Sequence, residues 1–475
     1  MKKNNKLHTL KKEHWILLFM ILSYILYFTF FTFQKHELFL TGRYDLGNMD
    51  QTVWNTFHGR FFSFTNPDFD QTMSRLSVHA DFILILLSPL YAIWENPRML
   101  LLIQTIVIAL GALFVYLIAK KHLPKSPLPL IFSLSYLLNP YLERQNIFDF
   151  HSVSLATTFL LGAWYFLERN KLIPFFLFLL LAVLTKEHIF LIAAIFGLYI
   201  AISKRKPWGL IIAALSLLAF YLLIAVFIPN ARGQAHFALA SYGSLGDSPS
   251  QIMITTLTNP ILILKTFWNH DIFSYLGSLF LPVGFLSLLN PAYTLFAIPE
   301  FLVNMLSNNS AYRSYYYHYA AAFIPFIYIS AIYGAKKIAH KFTSKKVKII
   351  LTIYLLLFSL ISAWNFGPLP GTQKADLSIF QSNLNPQPIH DYLNHIPPTT
   401  SIAATNNLAA QLVHRQKIYT ITNALKADLI LFLVPNLNDA TNPDIQALRQ
   451  LKKNPEFHIQ YQLDNFIVFE RNKKK

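Results

Sequence analysis

"WILLFMILSYILYFTFFTFQKHELFLTGRYDLGNMDQTVWN", residues 15–55, joins two kinds of sequence that seldom meet in a soluble protein. Residues 15–33 are apolar and uncharged, close to the roughly 20 residues a helix needs to cross a bilayer. Soon after that run the chain carries Arg43, Asp45, Asp50, Gln51 and Trp54. Ionisable groups are costly beside hydrocarbon, so a cluster of them next to a span predicts a site at one membrane surface.

Composition agrees with a membrane chain. Of 475 residues, 54% are hydrophobic and only 13% charged, with 42 Phe and 24 Tyr, more apolar than a soluble domain sustains. Cysteine is absent, which removes disulfides, thiolate chemistry and Cys-ligated metals and leaves oxygen and imidazole groups for any site. The net charge of +17 sits in short clusters between apolar runs, the pattern of positive-inside loops, and no basic groove interleaved with aromatics suggests nucleic acid. Lys2, Lys3, Lys6, Lys11 and Lys12 precede the first run, and no small-residue cleavage site follows it. Residues 1–14 therefore read as a basic cytoplasmic N-terminus ahead of an uncleaved span.

The same reasoning along the chain predicts an α-helical polytopic membrane protein with about eleven transmembrane helices. Expected spans are 15–33, 99–119, 128–138, 152–167, 172–184, 189–202, 210–228, 272–289, 292–306, 319–333 and 349–364. Basic clusters at Lys120, Lys121 and Lys125, at Arg169 and Lys171, at Lys204, Arg205 and Lys206, and from Lys336 to Lys346 all fall on one side in this topology. A polar segment is expected over 230–270. The transmembrane domain is assigned to 15–366. Its first outer loop, 34–98, carries interfacial helices, with Leu46, Met49, Val53 and Phe57 at helical spacing and Trp54, Tyr91 and Trp94 as anchors. After the breakers Gly367, Pro368, Pro370 and Gly371, strand-like runs at 401–405, 429–434 and 466–470 alternate with helix-like ones at 408–414 and 444–453. Residues 367–475 thus read as a small α/β extracytoplasmic domain of a cell-membrane protein.

Sorted by this topology, the unusual polar residues converge on the outer surface. Asp45 is an N-cap of the stripe that starts at Leu46 or a catalytic carboxylate, and the two roles are compatible. Asp50 lies about 140° further round a straight helix, so the two acids do not form a side-by-side pair. His79 with Asp81 and Asp149 with His151 repeat an H-x-D or D-x-H spacing, a two-plus-two set that would suit zinc or manganese, against the plainer reading of hydrogen-bonded interfacial histidines. Lys186 beside Glu187 is either a self-neutralising ion pair or a cation for phosphate with an orienting carboxylate. Arg313, Tyr316 and His318 lie in an aromatic run that is an interfacial belt or a sugar and phosphate platform.

"RYDLGNMDQTVWNTFHGR", "VHADFILILLSPLYAIWENPRMLLLIQ", "FDFHSVSLATTFLL", "LTKEHIFLI" and "LPVGFLSLLNPAYTLFAIPEFLVNMLS" together resemble the multi-spanning proteins of domain-of-unknown-function family 2079, with a weaker echo in "HRQKIYTI". More distantly, the layout is similar to GT-C glycosyltransferases: a first span, an outer loop with an early acidic residue and interfacial helices, many further spans and an outer soluble domain. That resemblance implies a GT-C-like fold, a polyprenyl-phosphate sugar as donor, and Asp45 as the carboxylate acting on an extracytoplasmic acceptor. Arg43, Lys186 or Arg313 would meet the departing phosphate, and a divalent metal, where one is used, would sit on His79, Asp81, Asp149 and His151. The Asp-Glu pair or D-x-D of those enzymes is here Asp45 followed by Leu46 and Gly47. No nucleotide-binding glycine motif is present. The expected partners are membrane lipid and the lipid-linked donor. The alternatives are a transporter or flippase of lipid or sugar and a non-catalytic envelope assembly protein.

Overall fold

A computed structural model describes residues 11–472, so Lys2, Lys3 and Lys6 lie outside the described residues. Among the described residues, four helices are long and apolar enough to cross a membrane: Lys12–Glu37, Arg98–His122, Trp208–Arg232 and Lys345–Phe366. They contain the expected spans at 15–33, 99–119, 210–228 and 349–364.

The other expected spans are shorter or broken. Leu128–Leu137 has 10 residues; at about 1.5 Å per residue it reaches about half of a 30 Å hydrocarbon core. Ala156–Glu168, Leu172–Val183 and Ile189–Ser203 are likewise short helices. The run at 272–289 stops as a helix at Phe280, because Pro282 and a left-handed Gly284 (φ 56°) cannot continue it. The run at 292–306 is a 3-10 stretch, Pro291–Ala297, followed by the helix Ile298–Leu306. Tyr319 lies outside the next helix, which begins with Pro325 near its start and runs Ile324–Lys341. Hydropathy therefore locates the apolar segments, while prolines and glycines decide which become full-length helices.

These helices form one core in which Phe132, Tyr136, Trp164, Phe196 and Tyr328 are buried, while Leu215, Leu218, Ile350 and Ile353 face outward. Close backbone approach is part of that packing. A Cβ on Gly197 would lie 2.5 Å from the Gly209 carbonyl, and one on Gly209 would lie 2.4 Å from the Gly197 carbonyl, so Ile189–Ser203 and the start of Trp208–Arg232 touch through their glycines. At one end of the bundle Lys120 pairs with Glu13, and Lys121 and His122 pair with Glu168. At the other, Arg98 pairs with Glu37 at the mouth of the first loop.

The 230–270 segment, expected to be polar, contains two helices, Pro249–Thr258 and Pro260–Asn269, that expose Met253, Leu257, Ile261 and Leu264. The first loop is a folded layer. A π-helical turn, Arg43–Gly47, leads into the helix Asn48–Phe57. Strands β1 (Ser63–Asn66) and β2 (Gln71–Ser74) form an antiparallel hairpin, and Ile83–Leu87 is a short buried helix. Leu46, Met49 and Val53 pack on Ile83, Leu84 and Tyr91, so three residues of the expected apolar stripe face protein, while Phe57 is exposed.

The C-terminal region forms a mixed sheet of β3 (Ile402–Ala404), β4 (Ile418–Tyr419), β5 (Leu429–Leu433), β6 (Phe457–Leu463) and β7 (Phe466–Arg471) in the order β4-β3-β5-β7-β6. β4, β3 and β5 are parallel, and β5, β7 and β6 antiparallel. Sequence patterning found β3, β5 and β7 but neither β4 nor β6. The helix expected at 408–414 is only Asn406–Ala409.

This sheet rests on the first loop. Arg43 donates to the Ile418 carbonyl at 2.8 Å, Gln51 donates to the Arg415 carbonyl at 2.8 Å, and Asp70 accepts from the Thr420 N–H at 2.9 Å and hydroxyl at 2.7 Å. Trp54 stacks on His414 with ring centroids 5.5 Å apart, and Tyr91 donates to the buried Asp50. Two of the three expected membrane anchors thus serve internal contacts.

Candidate functional site

The π turn is what presents Asp45. The Gly47 N–H reaches back to the Gly42 carbonyl at 3.1 Å, and the Gly42 N–H is held by the Asp149 carboxylate at 2.9 Å. π turns often mark functional positions because the extra residue re-aims a side chain. The helix Asn48–Phe57 begins from Gly47 with no side-chain cap, so Asp45 is not the N-cap that its spacing suggested. Its carboxylate instead contacts His151 Nε2 at 3.1 Å and is about one-third exposed (35%).

Asp45 opens into a cavity of about 250 Å³ that also takes in Tyr44, His79, Lys186, Tyr312 and His318. Burial raises the Asp45 pKa, but the hydrogen bond and charge of His151, with Arg75 and Lys186 beyond, outweigh it and hold the carboxyl below its ordinary value. Asp45 is therefore a carboxylate at neutral pH, able to accept a proton. His151 is fixed by its N–H donating to Gln104 at 2.8 Å and by stacking on His318 at 3.8 Å between centroids. Burial, joined by the charges of His151 and Lys186, pushes the His318 pKa well below the usual imidazole range, so this ring enters the wall neutral.

The remaining expected residues take other positions. Asp81 lies at the cavity edge but is clamped by Arg75 through three contacts of 2.8–3.1 Å, both side chains being buried. Asp149 is turned onto Gly42, and burial, with the charge of Asp45, raises its pKa well above that of an ordinary carboxyl. His79, Asp81, Asp149 and His151 are accordingly not gathered as one ligand set. Arg43 ties the turn to β4, Arg313 donates to the Asn304 and Ser307 carbonyls at 2.9 and 2.7 Å, and Tyr316 stacks on Tyr315 under Arg144. None of these three lines the cavity.

Lys186 and Glu187 do not neutralise each other, because they diverge. Lys186 lines the cavity, whereas Glu187 turns behind it, accepting from His79 Nδ1 at 3.0 Å and from the Ala80 N–H at 3.0 Å. Burial, with the charge of Lys186, lowers His79 to about 4, so its ring is neutral at pH 7. The sequence reading did not select Arg75, Tyr44 or His236. Arg75 stands six positions before Asp81 across the 3-10 turn Arg75–Ser77, so neither helix nor strand spacing links the two, and His236 lies in the segment expected to be a polar connection.

A second cavity, about 370 Å³, lies between the first loop and the C-terminal sheet domain. Its charges face one another: Glu37 is paired with Arg98 and lies 3.4 Å from His390, and Asp50 lies 2.9 Å from His414. It reads as a docking seam. The smaller cavity, with Asp45 and Lys186 unspent on each other or on a cap, is the stronger candidate.

A family model described as "Predicted membrane protein (DUF2079)" matches residues 35–468. No curated protein shows significant similarity to the chain.

Proposed function

We propose, from the premise that the chain belongs to this family of predicted membrane proteins, that the cavity around Asp45 transfers a sugar from a polyprenyl-phosphate donor to an acceptor hydroxyl outside the cytoplasm. The observation that carries this reading is one cavity holding an ionised, partly exposed carboxylate and a lysine whose side chain has no ion-pair partner among the described residues. In the reaction the acceptor oxygen bonds to the anomeric carbon while the bond to the phosphate oxygen breaks. The acceptor proton passes to Asp45, and polyprenyl phosphate leaves with an added negative charge that Lys186 offsets. His151 orients Asp45 and keeps it charged until that step.

The dimensions are consistent with this use. About 250 Å³ is below the roughly 300–1,000 Å³ of sites that enclose drug-sized ligands. It suits the reacting end of a donor whose isoprenoid tail lies along the outward apolar faces of the helices.

The test is a screen of polyprenyl-phosphate sugars with protein purified in detergent, followed by Asp45→Asn. The expected outcome is a loss of transfer of about 100- to 10,000-fold with unchanged elution of folded protein. Transfer at the wild-type rate by that variant removes Asp45 from the chemistry.

A further inference from the structure

We propose that His79, Glu187 and His236 form a binding site for a divalent metal of the zinc class, set in the wall behind the Asp45 cavity. This site is separate from the proposed sugar transfer and stands whether or not that reaction occurs.

Three chain segments converge here: the stretch of the first loop between β2 and Ile83–Leu87, the turn between Leu172–Val183 and Ile189–Ser203, and the loop that follows Trp208–Arg232. Each contributes one ligand atom, and the three atoms lie within 4.8 Å of one another. His79 Nδ1 is 3.0 Å, and His236 Nε2 3.8 Å, from the same carboxylate oxygen, Glu187 Oε1. Tetrahedral zinc with bonds of about 2.0–2.1 Å sets neighbouring ligand atoms roughly 3.3 Å apart, so small side-chain adjustments close the set. Two imidazoles and one carboxylate, with a fourth position open, form a donor set that zinc-class ions accept.

A second observation points to a ligand independently of that spacing. His236 is 4% exposed, and its Nε2 has no hydrogen-bond partner among the described residues. Buried polar atoms of this kind are rare because leaving one unpaired is costly. The surroundings hold the ligands in place. The Ala80 N–H fixes Glu187 Oε2 and leaves Oε1 toward the histidines. His236 Nδ1 accepts from the Ala238 N–H at 3.1 Å and His79 Nδ1 donates to Glu187; metal binding moves the His236 ring proton to Nδ1 and that of His79 to Nε2, exchanging these two hydrogen bonds for metal–nitrogen bonds. Phe237 covers the cluster, with its ring 5.4 Å from that of His79.

Only His79 is shared with the ligand set expected from the H-x-D spacing. Asp81 is held by Arg75, Asp149 by Gly42 and His151 by Asp45, whereas Glu187 and His236 have their ligand atoms turned toward each other. A metal in this position cross-links the three segments and fixes the backbone that carries Lys186.

The experiment uses full-length protein in detergent, stripped with a chelator, dialysed against Zn²⁺ or Co²⁺, and read by metal analysis, visible absorption and thermal unfolding. The expected result is one zinc per chain, a higher Tm with zinc, and cobalt d–d bands. His236→Asn and Glu187→Gln lose the stoichiometric metal, while Asp45→Asn keeps it. Wild-type protein that holds no stoichiometric zinc and shows no cobalt bands overturns the site, as does full zinc retention by soluble, monodisperse His236→Asn. Since the wild-type measurement alone can refute the site, a variant that fails to fold leaves the proposal open to refutation.

Discussion

At the scale of single residues, the acids around the first loop divide by what each would lose on substitution. Asp81 and Arg75 are both almost fully buried and joined through two oxygens. Removing one partner strands a charge in a low-dielectric interior, so Arg75→Met should destabilise the protein by about 3–5 kcal/mol in thermal or denaturant unfolding. Asp45 is partly exposed and has one histidine partner, so Asp45→Asn should change stability by about 1 kcal/mol or less while abolishing transfer. A large stability loss at Asp45 together with a small one at Arg75 would reverse the assignment of roles. This division was only half legible in the sequence. The polarity of Asp45, Lys186, His151 and His318 beside apolar runs marked them as unusual, and all four line one cavity. The locking of Asp81 by Arg75, or of Asp149 by Gly42, depends on tertiary contacts that no periodicity encodes.

At the scale of elements, the helix Asn48–Phe57 couples the bundle to the C-terminal sheet through Asp50, Gln51 and Trp54. Burial lowers the His414 pKa, but the charges of Asp50 and Glu95 outweigh it and hold it above the ordinary value. A histidine whose folded pKa is raised contributes its full stabilisation below the unfolded value of about 6.5 and loses it as pH rises through the folded value. Docking of the sheet domain should therefore weaken on the alkaline side, with faster hydrogen exchange at β4 and readier proteolysis near residue 371. His414→Gln should remove that pH dependence, and an unchanged profile in the variant would assign it elsewhere. Helix packing makes a second prediction at this scale. Gly209→Val would force apart backbones that now touch, costing about 1–3 kcal/mol and lowering Tm. Apolar runs revealed most helices to within a few residues, since burial or lipid contact demands them. Lengths were less legible, because Pro282, Gly284 and Pro325 end or delay helices that hydropathy alone would continue. The one-sided helices at 249–269 escaped because their polar faces masked their apolar ones.

At the scale of the whole molecule, charge and architecture share one axis. Lys120, Lys121, Glu13 and Glu168 meet at one end of the bundle, while the first loop, the Asp45 cavity and the C-terminal sheet gather at the other. If positive-inside bias sets orientation, the first end faces the cytoplasm and the cavity faces out. The chain contains no cysteine, so single substitutions can report orientation without background. Lys206 and Asp439 are exposed, the first in a basic turn and the second on the sheet domain. In intact cells a membrane-impermeant maleimide should label Asp439→Cys and spare Lys206→Cys until the membrane is permeabilised. The opposite pattern would put the Asp45 cavity on the cytoplasmic side, where transfer to an external acceptor is impossible. Labelling of both positions in intact cells would break the single axis that the charge distribution implies.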